Sequence, residues 1–256
     1  IHATVKTELG SNTMELQHHI KCKPGDLAHS VLLPGDLKGA QLISTHMDNP
    51  RQVASNREFN TYTGAYQGVP ASVISTGVGA PSASIVVEEA IKVGARNMIR
   101  VATCGALQPD VHPGDLIIAT AAVLGDGTTP GYIDMSYPAI ADFHLVRALV
   151  DAARELGASY HLGVIRTHDA FYVESPFAYG DYRARTACWT EANVLAVENE
   201  ASAIFVISSL RGCRGACLLV PAGNLLTGEE IRHPNEISDA IDLMIRIALR
   251  AAAMMG

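Results

Sequence analysis

Short apolar runs alternate with longer stretches whose apolar residues recur every three or four positions along most of the 256 residues. Strand-like and helix-like segments in alternation predict an α/β fold, a sheet with helices packed on its faces. Residues 30–33 read as the first strand and end at the turn Pro34-Gly35-Asp36. Residues 72–76, 98–103 and 116–123 follow, rich in Val, Ile, Ala and Thr as buried strands are. Residues 81–93 read as a helix stopped by Gly94, and residues 144–156 repeat the scheme before Gly157 and a strand over 162–166. Two more helices are predicted over 200–210 and 236–254, the last with Ile237, Ile241, Met244, Ile245 and Ala248 on one stripe. Residues 125–136 and 177–191 are rich in Gly, Thr, Tyr and Arg without a clean period, which predicts loops or a mobile flap over a site.

Length, composition and charge narrow the function classes. A chain of this size with 48% hydrophobic residues suits one core, and no repeat or low-complexity tract marks a linker, so residues 1–256 are expected to form a single domain with 1–25 as an irregular N-terminal segment. The formal charge of −7 argues against a nucleic-acid polymer or an anionic membrane surface as partner, while leaving room for a small anion bound locally. No apolar run reaches the roughly 20 residues of a membrane span, and residues 1–10 lack a signal core, so a soluble, cytoplasmic protein is expected. The five cysteines have no disulfide-framework spacing; Cys213 and Cys217 form C-x3-C without a second ligand pair, and buried thiols are the expected reading.

The most informative segment is Ser75-Thr-Gly-Val-Gly-Ala-Pro-Ser, a strand passing through glycines into a helix N-terminus. Taken alone it is equally an anion-binding loop or a tight turn that needs small residues. Its order resembles the signature of the nucleoside phosphorylase family that includes uridine phosphorylases and hexameric purine nucleoside phosphorylases. Pro34-Gly-Asp, Ala54-Ser-Asn-Arg-Glu-Phe and Arg100-Val-Ala-Thr-Cys-Gly-Ala-Leu-Gln-Pro agree in order and spacing. Tyr137-Pro-Ala-Ile-Ala-Asp-Phe, Asp169-Ala-Phe-Tyr and Val197-Glu-Asn-Glu-Ala resemble uridine phosphorylase segments in particular.

The resemblance implies a three-layer α/β/α domain with a mixed central sheet, and phosphorolysis of a nucleoside, uridine or a related pyrimidine nucleoside, to free base and ribose 1-phosphate. Gly35, Arg57, Arg100 and Thr103 would hold phosphate, with Arg57 reaching in from a neighbouring subunit; an arginine fork suits a phosphate dianion. His19, Thr103, Asn199 and Glu200 would meet the ribose, His19 also across the subunit interface. Arg100 and Glu200 would act catalytically, Glu200 by stabilising an oxocarbenium-like ribosyl group. Phe171, Cys104, Gly105, Ser175 and Phe177 would face the base. No cofactor is implied beyond phosphate as co-substrate, although Glu58, Val78 and Ser82 match positions that hold a potassium ion between subunits. The family implies at least a homodimer, and a homohexamer as a trimer of dimers.

Each residue also has a plainer reading: an arginine as solvated surface charge, Glu200 as a helix-start glutamate favoured by the macrodipole, Phe171 as core. Several positions depart from the family pattern. Gly39 stands where a further phosphate arginine is usual, with Lys38 beside it as a point charge without the fork. Ser175 and Phe177 stand where uridine phosphorylases carry Gln and Arg to read uracil, and Ala222 stands at or near the acid of purine enzymes. Asn199 replaces a methionine. These departures leave a purine enzyme, a phosphate-independent nucleosidase and an inactive nucleoside-binding member as alternatives.

Overall fold

The computed structural model describes residues 15–172, 181–231 and 237–256. β1 (Ser30–Leu33) lies between β4 (Val69–Ile74) and β5 (Asn97–Ala106), parallel to both, and β3 (Phe59–Tyr66) and β2 (Asp48–Asn56) extend the sheet by antiparallel pairing beyond β4. On the other side of β5 runs β10 (Arg214–Asn224), parallel to it and followed by β6 (Ile117–Val123), β8 (His161–Thr167) and β9 (Ala196–Glu198). β9 then pairs back onto β5, so β5, β10, β6, β8 and β9 close on themselves while β1 to β4 remain an open wing. The short β7 (Ala139–Ile140) pairs with β6.

Strand alternation divides the core into two halves, because successive side chains point to opposite faces. Val31 and Leu33 of β1, Met98 of β5 and Cys217 and Leu219 of β10 pack under α2 (Ala80–Lys92) and α5 (Ala201–Leu210). Leu32, Ile99, Ala216 and Leu218 face α1 (Leu37–Ser44), α3 (Phe143–Glu155) and α6 (Ser238–Met254). The result is the expected helix–sheet–helix layering around a mixed sheet. α2 begins as the glycine turn predicts, with Pro81 in its first turn, and Lys92 and Gly94 end it.

Two expectations change. Residues 182–191 of the expected flap form α4 (Tyr182–Glu191), whose sequence YRARTACWTE carries no continuous apolar stripe for a periodicity reading to detect. β2 and β3 were not anticipated either: β2 is exposed or half-buried along its whole length and reads Asp-Asn-Pro-Arg, which mimics a loop.

The pairing of β5 sets up a crevice. Its edge is covered by β1 up to Arg100 and by β9 only from Gly105, so residues 101–104 have no strand on that side. The gap lies at the carboxyl ends of the parallel strands β1, β4 and β5, where open α/β sheets place ligands.

Candidate active site

Arg100, the last β5 residue paired with β1, points into this crevice and is only 4% exposed. One terminal nitrogen, Nη2, donates to Glu200 Oε2; the other, Nη1, lies 3.4 Å from Thr76 Oγ1. Its Nε stands 3.7 Å from Glu198 Oε2 and has no hydrogen-bond partner among the described residues. The Pro34-Gly35-Asp36 turn closes the same space, for a Cβ on Gly35 would stand 3.6 Å from Arg100 Nη1.

Glu200 occupies the N-cap position of α5, 2% exposed, and its Oε1 accepts a 2.6 Å hydrogen bond from the Gly79 N–H. One carboxylate thus ties the loop after β4, the centre of β5 and the start of α5. Glu198, at the end of β9, fixes that helix start from below. Its oxygens accept from Thr167 Oγ1 at 2.6 Å, from the Glu200 N–H at 2.8 Å and from the Ala201 N–H at 2.9 and 3.0 Å. Burial pushes the Glu198 carboxyl up to about 7, against the pull of Arg100 and with repulsion from Glu200 adding to the rise.

The glycine loop is the tight turn its sequence allowed. Gly77 and Gly79 have φ of 71° and 92°, a left-handed backbone that side chains disfavour. A Cβ on Gly77 would lie 2.5 Å from Ser82 Oγ and 2.9 Å from Glu58 Cγ, so the turn has no space for one. At the same time the loop aims an N–H at an anionic oxygen, that of Glu200.

Other expected residues gather in a second group. His19 places its ring Nδ1 2.7 Å from Glu89 Oε1, and its carbonyl accepts from Asn56 Nδ2 at 2.7 Å. Arg57 follows Asn56 in the β2–β3 turn, exposed and with φ of 55°, and makes no ion pair with the described residues. Neither His19 nor Arg57 bonds to Arg100, Glu198 or Glu200 within the chain. Glu58 Oε1 and Ser82 Oγ are 3.4 Å apart, Ser82 Oγ also donates to the Thr76 carbonyl, and Val78 is exposed.

Thr103 is exposed in the crevice, while Cys104 is buried, its thiol pushed above the usual range by burial and then by the charge of Glu198. Gly105 lies under Leu225, 3.3 Å from where a Cβ would stand. Phe171 is exposed and meets Tyr172 edge-on, with ring centroids 5.0 Å apart. Ser175 and Phe177 lie outside the described residues.

The family model of the Phosphorylase superfamily matches residues 30–255. The chain belongs to this superfamily. It is 42% identical over 220 residues to a uridine phosphorylase of Thermococcus kodakarensis, covering 84% of this chain and 79% of that protein. A guanosine phosphorylase of Halorubrum lacusprofundi is 35% identical over 248 residues, covering 94% and 100%. The crystal structure of a purine nucleoside phosphorylase from Toxoplasma gondii in complex with immucillin-H superposes with a TM-score of 0.88 at 28% identity, covering 96% of this chain and 98% of that one.

Within this phosphorylase fold the departures acquire physical settings. The Gly39 N–H is capped by Asp36 Oδ1 at 2.8 Å, and a Cβ there would approach Pro34 Cβ to 3.2 Å, while Lys38 is exposed on the first turn of α1. The Asn199 amide donates to the His168 carbonyl, tying β9 to the end of β8 and supplying a structural role for the amide. Ala222 sits at the irregularity between Pro221 and Gly223 where β10 shifts register against β5. Sequence reasoning singled out Glu200 and passed over Glu198. The signal available was the spacing Glu198-x-Glu200 at the junction of a short strand and a helix, which places two carboxylates on the same side of the chain.

Proposed function

We propose that this chain cleaves the glycosidic bond of uridine or a related pyrimidine nucleoside with inorganic phosphate. The observation that supports this most is the buried Arg100 between Glu198 and Glu200, beside a loop whose N–H already binds a carboxylate oxygen. A guanidinium and a glycine turn at the carboxyl ends of parallel strands suit a phosphate dianion, with Gly35 and Thr103 lining the site and Arg57 lent by a neighbouring subunit. Glu200 would exchange its bonds to Gly79 and Arg100 for the ribose 2′ and 3′ hydroxyls. Phosphate then attacks C1′ as the bond to the base breaks; the electron pair leaves with the base, and Glu200 faces the positive charge that develops on the ribosyl group. His19 would meet the 5′ hydroxyl of the neighbour's ribose, Asn199 would stand beside the ribose, and Phe171, Cys104, Gly105, Ser175 and Phe177 would border the base.

The same reading takes residues 1–256 as one unit in the cytoplasm, assembled at least as a dimer and up to a hexamer, with Glu58, Ser82 and the Val78 carbonyl offering oxygens to a potassium ion between subunits. A purine substrate is the second reading, favoured by the guanosine phosphorylase among the relatives and opposed by Ala222, which cannot donate a proton to a purine ring.

Uridine and guanosine incubated with and without phosphate separate the readings. Phosphate-dependent release of uracil with ribose 1-phosphate is the expected result. Equal release without phosphate makes the protein a nucleosidase, guanine release in preference to uracil makes it a purine enzyme, and no release from either leaves a binding protein.

A further inference from the structure

Glu89 stands on α2, away from the Arg100 cluster, and carries a set of bonds that packing alone does not require. Its carboxylate is buried and receives the N–H of His19 at 3.0 and 3.2 Å, the N–H of Ile20 at 2.9 Å and the ring Nδ1 of His19 at 2.7 Å. Burial would push this carboxyl up, but the bonds from Ile20 and His19 outweigh it and hold Glu89 below the ordinary carboxylate range. An ionised carboxylate only accepts, so Nδ1 must carry the proton and Nε2 becomes the ring's outward atom. The ring is held from its other sides too: His18 meets it edge-on with centroids 4.7 Å apart, Phe59 stands at 6.4 Å, and Asn56 anchors its carbonyl.

We propose that Glu89 is a positioning residue for substrate recognition, fixing the tautomer and direction of His19 so that Nε2 meets the 5′ hydroxyl of a nucleoside bound by the neighbouring subunit. This rests on the reading of His19 given above. It deepens that reading by naming the substrate feature Glu89 serves, an unsubstituted 5′ hydroxyl. The bond network also explains how a segment with neither helix nor strand can deliver a side chain across an interface: two backbone N–H groups and the ring are clamped to one rigid helix.

Glu89→Gln keeps the shape of the clamp. With the amide oxygen toward the two backbone N–H groups, its NH2 faces Nδ1 and reverses the tautomer. The ratio of kcat/KM for uridine to that for 5′-deoxyuridine reports the 5′ hydroxyl contact alone. It should fall about tenfold in His19→Ala, by a similar factor in Glu89→Gln, and no further in the double variant, as for one lost hydrogen bond. If His19→Ala lowers the ratio and Glu89→Gln does not, Glu89 has no positioning role while the His19 reading stands. If His19→Ala leaves the ratio unchanged, the His19 reading fails and this inference with it. Should Glu89→Gln not fold, nitrogen NMR of the His19 ring in the unaltered protein decides: a proton on Nδ1 with Nε2 unprotonated supports the clamp, and the opposite tautomer overturns it.

Discussion

A guanidinium buried beside two carboxylates has given up hydration, and what holds it is the geometry of its partners. Arg100 is in that position, and under the proposed function phosphate binding would depend on its fork. Arg100→Ala should lower phosphorolysis by on the order of a hundredfold or more, about 2.7–4 kcal/mol in the transition state, with the loss concentrated in the dependence on phosphate. Arg100→Lys restores charge without the fork and should recover only part of this. Rates against phosphate concentration for the three proteins test the assignment, and near-normal turnover in Arg100→Ala would remove phosphate from this crevice. Glu198 leads to a pH prediction. A glutamate has an ordinary value of 4.5, and in the folded protein Glu198 is pushed up to about 7. The folded state therefore binds that proton more tightly than the unfolded chain does. Its contribution to stability is whole below about pH 4.5 and lost as pH rises through about 7. Relative to Glu198→Gln, the unaltered protein should lose stability over this window, read by denaturant unfolding at successive pH values. Parallel curves would mean that Glu198 titrates where an exposed glutamate does.

At the scale of elements, the loop between β4 and α2 needs glycine both for its backbone and for its space. Gly77→Ala places a methyl where Ser82 and Glu58 already stand and forces a left-handed backbone on an L residue. It should cost about 1–3 kcal/mol of stability and also raise the KM for phosphate, because Gly79 and Thr76 move with it. Unchanged thermal unfolding and unchanged KM would show the loop to be slack. This loop was readable in the sequence because its glycines, Pro81 and the flanking apolar runs all point to one local structure. The same consistency made β1, β5, β6, α2, α3 and α6 legible from their apolar period. β2 and β3 were not, since antiparallel strands on an exposed wing owe their form to pairing, β3 with β4 and β2 with β3, and bury little that alternation could reveal. α4 escaped notice for a related reason, having no apolar face. The site divides similarly. Arg100 and Glu200 were found through resemblance to a family, whereas the clamp of Glu89 on His19 joins positions 70 residues apart, a contact that no local pattern encodes.

At the scale of the whole molecule, Arg100 and Glu200 sit in the crevice while Arg57 and His19 stand apart, bonded to neither of them. If each crevice is completed by a neighbour's Arg57, the active unit is an assembly with closed symmetry. Mixing two inactive variants tests this directly. Arg57→Ala retains Arg100 but has no Arg57 to lend, and Arg100→Ala retains Arg57 but has a defective crevice. In a mixed dimer the crevice of the Arg57→Ala subunit receives Arg57 from its partner and is whole, while the other crevice carries both defects. Random reassociation of equal amounts, after mild dissociation, should restore roughly a quarter of the activity of the unaltered protein, since half of the dimers are mixed and each has one whole site in two. Were Arg57 to act on the crevice of its own chain, every crevice in the mixture would keep one defect. No recovery in a mixture shown by native mass spectrometry to contain mixed dimers would then place Arg57 in its own subunit's site.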